Sequence, residues 1–147
     1  MATTIRLPSD FKEFLKLLNS NRVEYLLIGG YAVGYYGYPR PTGDMDIWIR
    51  SDPNNSLRVV AALEEFGFTA DPKTFLTENK VVRMGVPPFR LELITSIDGV
   101  NFADCYEDRT NAILDEVEVS LISLAHLKAN KKASGRLKDL SDLENLP

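Results

Sequence analysis

The sequence has very few of the side chains on which most zinc and disulfide sites depend. Its 147 residues include one cysteine, Cys105, and one histidine, His126. A single cysteine excludes a disulfide within the chain and argues against a cysteine-based zinc site. A single histidine excludes a site built from several histidines. The disulfide-rich and zinc-binding classes of small protein are therefore set aside, and no Ser-His-Asp triad is indicated.

The chain also lacks an excess of positive charge and a long apolar run. Its net charge is −4, which argues against a broad nucleic-acid-binding surface. The longest uncharged stretch, residues 25–39, is interrupted by glycines and is shorter than the roughly 20 residues of a membrane span. The N-terminal residues have no long apolar core, so we expect no secretory signal. We therefore expect a cytoplasmic protein without a membrane segment.

What the chain does contain is the composition of one ordinary globular domain, with 44% hydrophobic and 26% charged residues. We expect residues 1–147 to form a single domain. Apolar periodicity predicts helices at residues 10–20, 30–37, 57–66, 121–132 and 137–146. Alternating or short apolar runs predict strands at residues 23–28, 45–49, 81–84, 89–94 and 112–119. This order predicts an α/β (α+β) fold with a mixed β-sheet flanked by helices.

Two aspartates stand one residue apart at the start of a predicted strand. Asp44 and Asp46 would share one face of that strand, because side chains two apart point the same way. Two carboxylates so placed can hold a pair of hard cations such as Mg²⁺ or Mn²⁺. About one Asp-x-Asp pair is expected by chance in such a chain, and most acidic pairs are simply solvated. Both interpretations stay open on this spacing alone.

A double glycine follows the first predicted strand. Gly29 and Gly30 lie where that strand passes into a short helix, and helix N-termini with glycine can approach a phosphate closely. The same two glycines also suit a tight strand-to-helix turn, and the two interpretations are compatible. The segment is neither a Walker A loop nor a dinucleotide-binding fingerprint, since the spacing and the Lys-Ser/Thr pair of those motifs are missing.

Basic residues recur near the C-terminus at helical spacing. They are Lys128, Lys131, Lys132 and Arg136. Cations are favoured near a helix C-terminus in any case, so they would form an ordinary solvated face. Alternatively, Lys131 or Arg136 would contact a triphosphate or a polyanionic acceptor.

Together, residues 23–50 resemble the nucleotidyltransferase superfamily with the DNA polymerase beta type of active site. The shared pattern is a hydrophobic strand, Gly29-Gly30, and Asp44-x-Asp46 on the next strand. Residues 40–46 resemble the Arg-x-Thr-x-Asp-x-Asp variant of small bacterial members, including those of toxin–antitoxin and abortive-infection systems. Residues 130–139 resemble, more weakly, the Lys-x-x-x-Gly-Arg-x-x-Asp tail of such proteins.

The resemblance implies a nucleotidyltransferase fold and a Mg²⁺-dependent enzyme that moves a nucleoside monophosphate from an NTP to a hydroxyl, releasing pyrophosphate. Asp44, Asp46 and a third carboxylate would bind two Mg²⁺ (or Mn²⁺) ions. Glu92, flanked by apolar residues on a predicted strand, is the candidate, although the family usually has Asp there and an exposed strand glutamate is the alternative.

Further residues are implied as nucleotide or phosphate contacts. They are Gly29, Gly30, Tyr31, Arg40, Thr42, Lys131 and Arg136. The acceptor stays open between a tRNA end, a partner protein and a small molecule, and the resemblance suggests a cognate toxin or antitoxin partner. The alternative is a non-catalytic, antitoxin-like protein-binding module that retains the fold.

Overall fold

The computed structural model of the protein describes residues 5–38 and 42–147. The helices of this part are α1 (Ser9–Ser20), α2 (Gly29–Tyr35), α3 (Pro53–Phe66), α4 (Phe102–Glu107), α5 (Leu124–Ser134) and α6 (Leu137–Asn145). The strands are β1 (Tyr25–Ile28), β2 (Asp44–Ile49), β3 (Val81–Met84), β4 (Arg90–Ile94), β5 (Thr110–Leu114) and β6 (Val117–Leu121). A 3-10 helix covers Pro72–Leu76. No helix in the described residues is both long and apolar enough to cross a bilayer.

The strands form one six-stranded sheet in the order β3-β4-β2-β1-β6-β5. Pairs β1–β2, β3–β4 and β5–β6 are antiparallel, whereas β2–β4 and β1–β6 are parallel. The predicted mixed sheet flanked by helices is therefore confirmed. The central position of β2 matters most for the site, because β1 ends and β4 begins beside its first residues.

Strand β2 separates an apolar face of the sheet from a face that carries polar groups. Met45, Ile47 and Ile49 are fully buried on one side. The alternate residues Asp44, Asp46 and Trp48 point to the other side, as the two-residue period of a strand requires. Trp48 is also buried there, and its ring packs edge-on against Phe102 of α4 at a centroid distance of 5.1 Å.

The ends of the helices differ from the predicted ones by up to four residues, since α3 begins at Pro53 rather than at residue 57 and α5 at Leu124 rather than at residue 121. Helix α1 buries Phe11, Phe14, Leu15 and Leu18, at the spacing of one helix face. It begins at Ser9, one residue before the predicted start, and Pro8 is its N-cap. Helix α3 is capped by Asp52, whose carboxylate accepts a hydrogen bond from the Asn55 amide at 3.0 Å, and it ends at Gly67 with a φ of 103°.

Three local features differ from the predictions. The single strand predicted at residues 112–119 is a hairpin of two strands, with Asp115 and Glu116 at its turn. Their positive φ values of 47° and 70° are unusual for residues other than glycine, so the sequence carries no standard turn signal here. Helix α4 and the 3-10 helix were not predicted, because each is too short to show a helical period.

Candidate active site

Three carboxylates converge on the polar face of the sheet. Strands β2 and β4 run parallel, and their register places Asp46 directly opposite Glu92. Asp44 lies two residues earlier on the same face. One carboxylate oxygen from each of the three residues lies within 4.8 Å of the others. The structure therefore brings together the three residues that the sequence singles out, and we call them the carboxylate cluster.

Gly29 forms one wall of the carboxylate cluster. Strand β1 pairs with β2 so that Ile28 is opposite Asp46, and the next residue, Gly29, turns the chain into α2. Its φ is +69°, a conformation that other L-residues rarely adopt. A β-carbon on Gly29 would lie only 2.3 Å from Oδ2 of Asp46. The close approach of this backbone to the carboxylate thus requires a residue with no side chain.

The pKa values of the two aspartates in the carboxylate cluster are shifted in opposite directions. Burial, and then the charges of Glu92 and Asp44, raise the pKa of Asp46 to about 6. Hydrogen bonds from Arg90 instead hold the pKa of Asp44 below its usual range. Proton binding at Asp46 therefore relieves repulsion among the three carboxylates. A divalent cation would relieve the same repulsion.

Arg90 is a site residue that sequence reasoning missed. Its Nε and one terminal nitrogen donate to the two oxygens of Asp44, each at 3.0 Å, and it lies 3.6 Å from Glu92. Arg83 of the neighbouring strand β3 lies 3.5 Å from the other oxygen of Glu92. The sequence does carry one signal for Arg90, because this residue stands two positions before Glu92 and so lies on the same face of the strand.

A cleft of about 310 Å³ opens beside the cluster, and we call it the site cleft. Its walls include Gly29, Gly30 and Asp46 on one side. Lys131 of α5, Lys138 of α6 and Arg136, which lies between these two helices, line the other side. Lys138, which the sequence did not single out, acts electrostatically on both Asp44 and Asp46. The cleft thus joins a carboxylate wall to a basic wall.

The predicted basic residues do not share one helix face. Helix α5 ends at Ser134, Gly135 adopts a φ of 64°, and Arg136 precedes α6 outside either helix. Lys131 is buried, and its ammonium lies 3.2 Å from Asp139 and 3.1 Å from Asp142. Lys128 and Lys132 do not line the site cleft. The prediction that these four basic residues share one helix face is wrong, because Gly135 caps the end of the helix before Arg136.

The remaining predicted contacts have local partners. Tyr31 is half-buried and packs edge-on against Phe11 at 6.0 Å, and burial raises the pKa of its phenol. Thr42 donates its hydroxyl hydrogen to the carbonyl oxygen of Asp44 at 3.0 Å, just before β2. Arg40 lies outside the described residues. Tyr31 thus contributes to packing, while Thr42 fixes the entry of the chain into the cluster.

The donor set of the carboxylate cluster fits a hard divalent cation. All three side chains offer carboxylate oxygens, which Mg²⁺ and Mn²⁺ prefer to the nitrogen and sulfur ligands of zinc. The glycine wall at Gly29 leaves space beside Asp46 that any side chain would fill. Asp44, Asp46 and Glu92 are therefore the residues that would hold such an ion.

Comparison with known proteins agrees with this geometry at the level of the fold. No protein-family model and no curated protein matches the chain. A proposed nucleotidyltransferase from Thermotoga maritima has 14% sequence identity and a TM-score of 0.63, over 95% of this chain and 94% of that one. The lincosamide antibiotic adenylyltransferase LnuA, in its lincomycin-bound form, has 17% identity and a TM-score of 0.58, over 97% of both chains. The chain therefore has the nucleotidyltransferase fold.

Proposed function

We propose that the protein is a metal-dependent nucleotidyltransferase that moves a nucleoside monophosphate from an NTP to an acceptor hydroxyl and releases pyrophosphate. The observation that supports this most is the convergence of Asp44, Asp46 and Glu92 within 4.8 Å, against a backbone turn that only glycine fits. Fold likeness alone would not specify an activity. The carboxylates add the chemistry, because metal-assisted phosphoryl transfer uses closely spaced acidic ligands.

In this proposal, Asp44, Asp46 and Glu92 hold two Mg²⁺ or Mn²⁺ ions. The bound ions would neutralise triphosphate charge and lower the pKa of the acceptor hydroxyl. Asp46 must be ionised to serve as a ligand, which its raised pKa of about 6 permits at neutral pH. Arg90 holds the carboxylate of Asp44 in a fixed plane through its paired hydrogen bonds.

The phosphate contacts are assigned to the walls of the site cleft. The backbone N–H groups around Gly29, Gly30 and Tyr31 would donate to phosphate oxygens, and Arg136 would approach from the opposite wall. Thr42 directly precedes β2, and we propose that it borders the nucleotide; Arg40 stays a predicted nucleotide contact from the sequence alone. Direct contact by Lys131 is not part of the proposal, because two carboxylates already surround its ammonium.

The acceptor is a hydroxyl on a tRNA end, a partner protein or a small molecule. LnuA is by its name an adenylyltransferase of lincosamide antibiotics. Its sequence identity to this chain is low, so the experiment tests all three acceptor classes. The net charge of −4 argues mildly against a long RNA footprint.

The test starts from nucleotide binding, which needs no acceptor. Each of the four NTPs is titrated with and without Mg²⁺ into the wild type, Glu92→Gln and Glu92→Asp, and pyrophosphate release is then measured with each acceptor class. We expect Mg²⁺-dependent NTP binding in all three proteins. Loss of one positioned charged group costs about 10²-fold in turnover, so we expect at least that loss in Glu92→Gln and a smaller one in Glu92→Asp.

Glu64→Gln serves as the control, since Glu64 is an exposed carboxylate on α3 outside the cluster. It should behave as the wild type in binding and turnover. If folded wild-type protein binds no NTP with Mg²⁺, the enzyme proposal fails, and the non-catalytic binding module becomes the better interpretation. Wild-type turnover by Glu92→Gln would remove Glu92 from the site.

A further inference from the structure

Helices α5 and α6 are joined by a buried group of charges, which we call the α5–α6 ion cluster. Lys131, Asp139 and Asp142 are 4%, 1% and 2% exposed. The ammonium of Lys131 lies 3.2 Å from Asp139 and 3.1 Å from Asp142. Buried charges carry a large desolvation cost and persist only with well-placed partners. The cluster therefore fixes the geometry between the two helices.

Asp139 also accepts hydrogen bonds from two residues outside the α5–α6 ion cluster. Its Oδ2 accepts hydrogen bonds from the Ser134 hydroxyl at 2.5 Å and from Nε of Arg136 at 2.6 Å, and a terminal nitrogen of Arg136 lies 3.4 Å from Oδ1. Although burial acts to raise it, these bonds and Lys131 bring the pKa of Asp139 down to about 2. The guanidinium of Arg136 is thus held on a buried anchor while its side chain stays 71% exposed.

The anchored guanidinium lines the site cleft. Arg136 and Lys138 lie on either side of the first residue of α6, and both line the wall opposite Gly29 and Asp46. Among the described residues, Lys138 forms no ion pair with a carboxylate. Its ammonium is therefore available to an anion in the cleft.

We propose that Asp139 is a positioning residue for the triphosphate. It holds Arg136 at the mouth of the site cleft, and by docking the start of α6 it sets Lys138 beside it, so that both cations contact the polyphosphate of an NTP. Lys131 acts behind them as the counter-charge that keeps Asp139 ionised in the interior. This inference rests on the proposed function and identifies how its substrate's phosphates are recognised.

The structure provides matched variants for the test. Asp139→Asn removes the charge that anchors Arg136, whereas Asp142→Asn removes a charge that pairs with Lys131 in the same ion cluster and leaves Asp139 in place. Lys138→Ala removes a cation that lines the cleft, whereas Lys132→Ala removes an exposed cation that does not. Arg136→Lys keeps the charge but loses the two-atom contact with Asp139, and its exposed side chain should not affect folding.

The probe is inorganic tripolyphosphate with Mg²⁺, measured by titration calorimetry and independent of any base preference. Charge-assisted hydrogen bonds predict a loss in affinity of about tenfold for Asp139→Asn, Arg136→Lys and Lys138→Ala. Lys132→Ala should stay within about twofold of the wild type. Asp142→Asn weakens the buried ion cluster but leaves the contact between Asp139 and Arg136 in place, so its loss in affinity should be smaller than that of Asp139→Asn. Steady-state NTP kinetics should show the same split, with KM raised and kcat little changed, which a purely structural defect would not produce.

The outcomes separate the two proposals. If the wild type binds and both Asp139→Asn and Arg136→Lys bind equally well, the positioning role is overturned while the proposed function stands. If Asp139→Asn does not fold, Arg136→Lys decides the question. Equal losses in Asp139→Asn and Asp142→Asn would reduce the cluster to a structural element and also overturn the inference. If the wild type binds neither tripolyphosphate nor any NTP with Mg²⁺, both the proposed function and the positioning role of Asp139 are overturned.

Discussion

Gly29 and Asp46 show how one residue type can determine whether the site forms. The φ of +69° at Gly29 and the 2.3 Å approach of its missing β-carbon to Asp46 act together. We predict that Gly29→Ala lowers the free energy of unfolding by at least about 1–2 kcal/mol, the cost of a left-handed conformation for a residue with a β-carbon. It should also weaken Mg²⁺-dependent NTP binding, since the carboxylate must move. Chemical denaturation and nucleotide titration measure the two effects.

The control for that substitution lies five residues further along the chain. Gly34 is in α2, its φ is not positive, and a β-carbon there would meet no atom within 4 Å. Gly34→Ala should therefore leave the site intact and be neutral or stabilising by up to about 1 kcal/mol. If Gly29→Ala matches Gly34→Ala in both measurements, the glycine wall has no role.

Asp46 supports a second prediction at this scale, on pH. Its raised pKa means that the folded protein binds a proton more tightly than the unfolded chain, so its contribution to stability falls as pH rises from about 4 to about 6 and is level above. Asp46→Asn removes this loss. Without metal at pH 7.5, we expect the variant to be more stable by about 1–3 kcal/mol, the range that a shift to a pKa of about 6 allows.

Urea unfolding in chelator at pH 4.5, 5.5 and 7.5 measures this difference. Asp10→Asn is the control, because Asp10 is an exposed carboxylate on α1 away from the cluster. The gain in stability of Asp46→Asn over the wild type should be larger at pH 7.5 than at the two lower pH values. The stability difference between Asp10→Asn and the wild type should not change with pH in this way. A less stable Asp46→Asn at pH 7.5 would make Asp46 a structural residue, and retained nucleotidyl transfer would exclude it as a ligand.

At the scale of elements, the β5–β6 hairpin shows why one prediction failed. Its turn residues Asp115 and Glu116 have positive φ, where glycine or asparagine is usual. Tertiary contacts hold the turn instead: the carboxylate of Asp115 accepts a hydrogen bond from the Leu7 amide at 3.0 Å and lies 3.6 Å from Lys12. Contacts from residues more than a hundred positions away leave no local pattern in the sequence.

This hairpin yields a prediction of its own. Glu116 is exposed and has a φ of 70°, so Glu116→Gly relieves a left-handed conformation and should raise the free energy of unfolding by about 0.5–1 kcal/mol. The same change at Glu118, exposed within β6, should lower it by a similar amount, because glycine weakens a strand. Urea unfolding of both variants is the measurement. A destabilised Glu116→Gly would show that the side chain, not the backbone, defines the turn.

The elements that sequence did predict are those with strong local signals. Helix α3 has a capping aspartate at Asp52 and a terminating glycine at Gly67, and the start of β2 has the Asp44-x-Asp46 alternation. Arg90 and Lys138 were missed because their roles depend on which strand or helix lies next to which. Residue spacing within one element is local information, whereas the parallel pairing of β2 with β4 is a property of the whole sheet.

At the scale of the molecule, the site concentrates negative charge in a chain that is already acidic. The net charge is −4, and three carboxylates converge within 4.8 Å. Arg90 and Arg83 offset part of this charge at the site, and Lys138 faces it across the site cleft. Added Mg²⁺ would therefore stabilise the protein in one of two ways: by screening the overall charge, or by binding at the cluster.

The last prediction separates these two effects. A specific ligand of the folded state stabilises by about 2.7 kcal/mol at a concentration one hundred times its Kd. We expect Mg²⁺ to raise the free energy of unfolding of the wild type and of the surface control Glu64→Gln by equal amounts. Asp44→Asn, which removes a predicted ligand, should lose most of that gain, and NaCl at matched ionic strength should give little in any protein. Equal stabilisation of Asp44→Asn by Mg²⁺, or of the wild type by NaCl, would mean that screening of the whole molecule accounts for the effect and that the carboxylate cluster holds no ion.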